Sequence, residues 1–162
     1  VIKSDFSLAK LLPIMDTGKC LLGLDYGKKK IGVAISDTRK VISSNLKMIL
    51  NKRPSQYINE ITELCQKRNI GGIVIGLPLN MNGSEGPRCQ STRSFAQKLQ
   101  KAGLPQTAFW DERLSTLAAE NILLEANISR KKRTLVVDSM AANIILQGAL
   151  DRLQNALKKD RK

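Results

Sequence analysis

One short segment constrains this chain more than anything else in it: an apolar strand that ends on a carboxylate. Cys20-Leu21-Leu22-Gly23-Leu24 is an apolar run, Asp25 stands at its tip, and Tyr26-Gly27 opens a turn into Lys30-Ile31-Gly32-Val33-Ala34-Ile35-Ser36-Asp37. Apolar residues at Ile31, Val33 and Ile35 give the alternation of a half-buried strand. Strands joined by so short a turn pair antiparallel. The layout holds one acid rigidly at the edge of a sheet, with Lys28, Lys29 and Lys30 in the turn beside it. An acid able to hold a metal, next to cations able to hold phosphate, is the minimum set of groups for phosphodiester chemistry.

The pattern continues through the chain. Val41 to Leu50 reads as a third, less regular strand. Pro54-Ser55 opens a helix with Tyr57, Ile58, Ile61, Leu64 and Cys65 on one side, and Gly71-Gly72 reads as its stop. Ile73-Val74-Ile75 is wholly apolar, as expected of a strand buried on both faces. After Gly76-Leu77-Pro78, the stretch Leu79 to Gly86 is polar and contains glycine, so a mobile loop is expected. Arg88 to Ala102 reads as a helix ended by Gly103, and Gln106 to Trp110 as a fifth strand running into Asp111-Glu112-Arg113. Ser115 is placed to cap a helix carrying Leu117, Ile122 and Leu123. Arg130-Lys131-Lys132-Arg133 reads as a basic loop, followed by a long helix from Leu135 to Lys158. This order predicts an α/β domain: a five-stranded mixed sheet, three antiparallel strands then parallel ones, with helices on both faces. The domain is expected to span 19–158, with a basic tail at 159–162. Residues 1–18 are expected to be an extension the fold does not need, with Met15 close to the functional start.

Composition narrows the function. The 162 residues are 42% hydrophobic, enough for one sizeable core. No apolar run is long enough to span a bilayer, and the first residues lack the clean apolar block of a secretory signal. Three widely spaced cysteines, Cys20, Cys65 and Cys89, make neither a disulfide framework nor a zinc site, and point to a reducing cytoplasm. Lys and Arg number 27 against 14 Asp and Glu, a formal net charge of +13. That excess suits a polyanion, and nucleic acid above all, because neutralised phosphates release counterions. Simple solubility is the bland alternative. The chain has no histidine, which excludes Ser-His-Asp and Cys-His mechanisms and any imidazole base. An enzyme built from it must work with carboxylates, lysines or bound metal.

Three carboxylate positions stand at element ends: Asp25, Asp111-Glu112, and Asp138 near the start of the last helix. With the first strand central and the last helix crossing it, their tips can converge. Gathered carboxylates repel, and a divalent cation relieves that repulsion. Mg²⁺ takes carboxylate and water oxygens, and Mg²⁺ or Mn²⁺ is the expected cofactor. Each acid also has a structural reading. An Asp at a strand end forms turns, Asp138 can cap its helix, and Glu112 can pair with Arg113 at the surface. Lys28 to Lys30 and Arg130 to Arg133 are candidate phosphate contacts, or solvated charge. Such contacts position a backbone without reading bases.

These same residues resemble the YqgF/RuvX family. Leu24-Asp25-Tyr26-Gly27 through Ile31-Gly32-Val33-Ala34-Ile35-Ser36-Asp37 resembles its first motif, and Ile75-Gly76-Leu77-Pro78 with Gly83 and Gly86 its second. Asp111-Glu112-Arg113-Leu114-Ser115-Thr116 resembles the third, and Val137-Asp138-Ser139-Met140-Ala141-Ala142 with Ile145-Leu146-Gln147 the fourth. The resemblance implies an RNase H-like fold, a cytoplasmic nuclease acting on pre-16S rRNA in maturation of its 5′ end, and an acidic triad of Asp25, Glu112 and Asp138. The family is also described as Holliday junction resolvases. Lys30 stands where the family commonly has Arg, and holds phosphate as a point charge rather than bidentately.

The leading expectation is a metal-dependent endonuclease on structured RNA, with the pre-ribosomal particle as a further partner and no membrane. Lys28, Lys29, Lys30, Arg113, Arg130, Lys131, Lys132 and Arg133 contact phosphate, and the loop carrying Asn82 closes over substrate. A resolvase of four-way DNA uses the same chemistry but needs a homodimer rather than a monomer, because its substrate is two-fold symmetric. A non-catalytic nucleic-acid-binding factor needs the basic surface and not the acids. The strand–Asp–Gly turn–strand also recurs in sugar kinases and actin-like ATPases, but those bind nucleotide between two lobes and this chain has length for one.

Overall fold

Short turns and alternating apolar residues pair the first three strands into an antiparallel meander. In a computed structural model, which describes residues 7–114 and 129–161 and only the backbone of 130–139, β1 (Cys20–Tyr26), β2 (Lys30–Ser36) and β3 (Ser43–Leu50) run in this way. β4 (Ile70–Leu77) then joins β1 in parallel, and β5 (Gln106–Asp111) joins β4 in parallel. The strand order β3-β2-β1-β4-β5 puts β1 at the centre, as expected from the sequence. The helix expected from Ser115 through Leu117, Ile122 and Leu123 lies outside the described residues. No described helix is long and apolar enough to cross a membrane.

The two sheet faces differ in side-chain size, and that difference places the site. One face presents Leu22, Leu24, Ile31, Val33, Ile49, Ile73 and Ile75. They pack with Tyr57 and Ile61 of α1 (Pro54–Lys67) and Phe95 and Leu99 of α2 (Pro87–Lys101). The other face is paved largely with small residues, among them Gly23, Gly32, Ala34, Gly76 and Ala108, and takes α3 (Arg130–Asp160). A Cβ on Gly23 would come within 2.7 Å of Leu146 Cβ, so the helix lies against the strand backbone itself. Ala142, Leu146, Ala149 and Leu150 of α3 are buried there.

Several boundaries differ from the sequence reading. α1 ends at Lys67, and Asn69, left-handed at φ 52°, turns the chain. Gly71 and Gly72 lie inside β4, where a Cβ would strike Ile14, Lys19 or Leu11 at 2.7–3.0 Å. Arg130 to Arg133 are helical and open α3 rather than forming a loop. Ahead of Met15, Leu8–Ile14 forms a 3₁₀ helix whose Leu8 and Leu11 are buried with Leu21, Val74 and Trp110. That packing makes the segment part of the second core layer, at odds with an extension the fold does not need. Cys20, Cys65 and Cys89 are all buried free thiols.

Candidate active site

Asp25 is the last but one residue of β1 and is half-buried on the α3 face. Glu112 follows β5 directly, two strands away. Its side chain folds back across β4 over Gly76, where a Cβ would lie 2.8 Å from both Glu112 Cγ and Oε1. There the Glu112 carboxyl hydrogen-bonds Asp25. Burial, this hydrogen bond and the Asp25 charge together push the Glu112 carboxyl up to about 8, while Arg88 in the first turn of α2 pulls it down. Two acids, one on β1 and one directly after β5, therefore meet at the sheet's end, joined by a hydrogen bond.

The backbone of α3 leads to the same place. Leu146 lies over Gly23, and Ala142 lies over Gly32, whose register partner is Asp25. Residue 138 is one turn before Ala142, about 6 Å further in the same direction. Asp138 thus stands roughly two turns inside α3, which removes its reading as a helix cap. The side chains of Asp138, Arg130, Lys131, Lys132 and Arg133 lie outside the described residues.

Asp111 and Glu112, adjacent in sequence, have separate fates. Asp111 is buried and receives Arg113: Nε donates to both carboxylate oxygens at 3.1 Å and Nη2 to Oδ2 at 2.7 Å. Arg113 Nη1 also donates to the Met81 carbonyl at 3.1 Å. The guanidinium expected to steady phosphate is thus turned onto protein, tying the end of β5 to the loop 79–86. That loop is braced rather than loose. Asn80 N donates to Ser84 O at 2.9 Å and Gly83 N to Asn80 O at 2.8 Å, with Gly83 left-handed at φ 86°. Asn82 Oδ1 accepts from Ser84 N at 3.0 Å and Ser84 Oγ at 2.6 Å, so its carboxamide oxygen serves the turn.

Lys28, Lys29 and Lys30 are exposed at the Asp25 end of the sheet. Their turn is fixed by Asn51, whose Nδ2 donates to Gly27 O at 2.7 Å and whose N donates to Lys29 O at 2.9 Å. Gly76 and Arg88 were not among the sequence's candidates. A glycine inside a buried apolar run marks a close approach and was readable in principle. Arg88 carries no comparable signal. Among the described residues no group of three His, Cys, Asp or Glu is gathered to hold a metal.

A family model described as "RuvX: Holliday junction resolvase" matches residues 19–152. The chain belongs to the RuvX family. Relatives named "Putative pre-16S rRNA nuclease" align along most of their length. One from Ruegeria sp. (strain TM1040) is 51% identical over 151 residues, covering 93% of each chain. Another, from Bartonella quintana (strain Toulouse), is 44% identical over 155 residues, covering 96% of this chain and 95% of that one. Among solved structures, the yeast mitochondrial Holliday junction resolvase Ydc2 superposes with a TM-score of 0.51 at 14% identity, covering 94% of this chain and 86% of that one. That likeness shows the RNase H-like fold in this RuvX chain, as its four motifs imply.

Proposed function

We propose that the chain is a divalent-metal-dependent endonuclease for structured nucleic acid, acting in the cytoplasm on the 5′ end of pre-16S rRNA. The observation that carries this reading is the meeting of Asp25 and Glu112 across three strands. A carboxyl whose proton is favoured by burial and by a neighbouring carboxyl is a poor arrangement for folding and a good one for a hard cation, which offsets the gathered negative charge. Asp25, Glu112 and Asp138 are the proposed ligands, Asp138 on its backbone position alone. When bound, Mg²⁺ or Mn²⁺ supplies the Lewis acidity that activates the attacking water and offsets charge on the leaving oxygen. Lys28, Lys29, Lys30 and Arg88 hold the flanking phosphates, together with the basic start of α3. Arg113 and the loop with Asn82 set the wall of the cleft. The relatives' names favour precursor rRNA. The family model's description supports a second reading, cleavage of four-way DNA.

One assay compares precursor rRNA, a four-way DNA junction and plain duplexes, with Mg²⁺, Mn²⁺ or chelator. Wild type is expected to cut the RNA only with metal, and Asp25→Asn to abolish cutting while binding is kept. Cutting in chelator, or cutting by Asp25→Asn at the wild-type rate, overturns the metal-carboxylate reading. Tight binding with no cleavage of any substrate favours a non-catalytic factor.

A further inference from the structure

The charge of +13 is not confined to the carboxylate end. At the opposite end of the sheet, where β1, β4 and β5 begin, exposed cations follow the strand order. Arg39 lies in the β2–β3 turn, Lys19 precedes β1, Arg68 precedes β4, and Lys101 ends α2 ahead of β5. Neighbouring strands are about 4.8 Å apart, so Arg39, Lys19 and Arg68, each within a few residues of a strand end, follow one another in a row along the sheet edge, and Lys101 ends the helix that leads into the next strand. Lys158, Lys159 and Arg161 extend this row from the end of α3, which Gln154 fixes there by donating to Arg39 O at 3.1 Å and Lys40 O at 3.0 Å. The backbone under the row is clamped by the buried Lys40, whose Nζ donates to Thr17 O, Thr38 O and Lys19 O at 2.6–3.0 Å.

Asp16, Asp37 and Asp160 are the acids at this end, and the Asp37 carboxylate caps the turn by accepting from Val41 N and Ile42 N. Arg39 acts electrostatically on Asp37, but no ion pair within 4.0 Å among the described residues involves a cation of the row. Helix dipoles account for Lys101, Lys158 and Lys159, which sit in last turns, and for Arg68, the C-cap of α1, but not for Lys19 or Arg39, which are on no helix. A row of like charges that outnumber the acids beside them costs repulsion unless a polyanion meets it.

We propose that this edge is a second phosphate-backbone site, which takes a segment of structured nucleic acid other than the one being cut. It rests on the nuclease reading for its ligand class. The two groups of cations lie at opposite ends of the strands, roughly 17 Å apart from Cys20 to Asp25, so a duplex laid across one end of the sheet does not face the other. The ligand is a folded or branched nucleic acid that wraps the domain.

The test removes charge with Lys19→Gln, Arg39→Gln, Arg68→Gln and Lys101→Gln together, all at exposed positions away from the carboxylates. Binding is read by anisotropy against KCl concentration, in chelator so that no cutting intervenes, with a long branched RNA and a twelve-base-pair duplex, about one helical turn. Each lost phosphate contact lowers the log–log salt slope by about 0.9. The variant is expected to lose about 2–4 units of slope on the long RNA, which meets both ends at once, and fewer on the short duplex, which sits on one end at a time. Exchanging Lys for Arg and Arg for Lys at the same positions should restore the slope. An unchanged slope on the long RNA, or an equal fall on both ligands, overturns the proposal. Metal-dependent cutting of precursor rRNA by the wild type is measured separately, so failure of the second site and failure of the nuclease reading are told apart.

Discussion

At the level of single residues, Gly76 decides whether the two acids can meet. Gly76→Ala puts a methyl 2.5 Å from Ile145 Cδ1 and 2.8 Å from Glu112 Oε1. Either the isoleucine or the carboxylate must move. Overpacking of this kind costs about 1–3 kcal/mol, and an ångström of displacement in a catalytic group costs about a hundredfold in rate. Cleavage assays paired with thermal melts are expected to show both effects, with the loss of rate exceeding what the loss of folded protein explains. Glu112 itself should mark the pH profile. Below pH 4.5 its carboxyl is protonated folded or unfolded. Between 4.5 and about 8 only the folded chain keeps the proton, so this contribution to stability declines across that window and is gone above it. Urea titrations of the metal-free protein should show that decline. Asp25→Asn should narrow the window without closing it, because burial, the largest cause, remains. Asp25 was legible in the sequence because a carboxylate after a buried apolar run is unusual. Gly76 was passed over because a glycine at a strand end also reads as a plain terminator.

Among the elements, what was legible followed from periodicity, and what was missed lacked it. The meander of β1 to β3 was readable because two-residue alternation and short turns leave one pairing. Leu8–Ile14 was not, because a seven-residue 3₁₀ helix with Pro13 inside it shows no α-helical amphipathic period. Its energetic weight is nonetheless that of core. Leu11 is fully buried, and Leu11→Ala is expected to cost about 3 kcal/mol by urea denaturation. Deleting everything before Met15 should cost more. The Arg130 to Arg133 run reads as a loop because it breaks the apolar pattern, yet charged residues of this type are good helix formers and the run opens α3. The loop 79–86 reads as mobile on composition, and it carries a tie that composition does not encode: Arg113 Nη1 across to the Met81 carbonyl. Arg113→Lys cannot grip Asp111 and Met81 together. The buried Asp111 then lacks part of its partner, at a cost of about 1–3 kcal/mol. Amide exchange at Asn80 and Gly83 should speed up, and the KM of cleavage should rise more than kcat falls.

For the whole molecule, net charge and site number answer different questions. The excess of cations was visible in composition and implied a polyanionic ligand, but composition does not say that the charge divides between two ends of one sheet. Nor does it say how many cuts one binding event yields. The fold does: one Asp25–Glu112 pair stands at one end of one sheet, so each chain carries one proposed cutting centre. Paired, symmetric incision of a four-way junction needs two such centres related by a two-fold axis. A single chain on an asymmetric RNA needs one. If precursor RNA is the substrate, the protein at concentrations where sedimentation shows a monomer should cut the RNA at full specific activity. On a four-way junction under the same conditions it should leave single nicks, with the second strand cut independently and later. Paired cuts appearing together, with activity rising as the square of protein concentration, would instead identify a dimer as the working unit and move the assignment to DNA junctions.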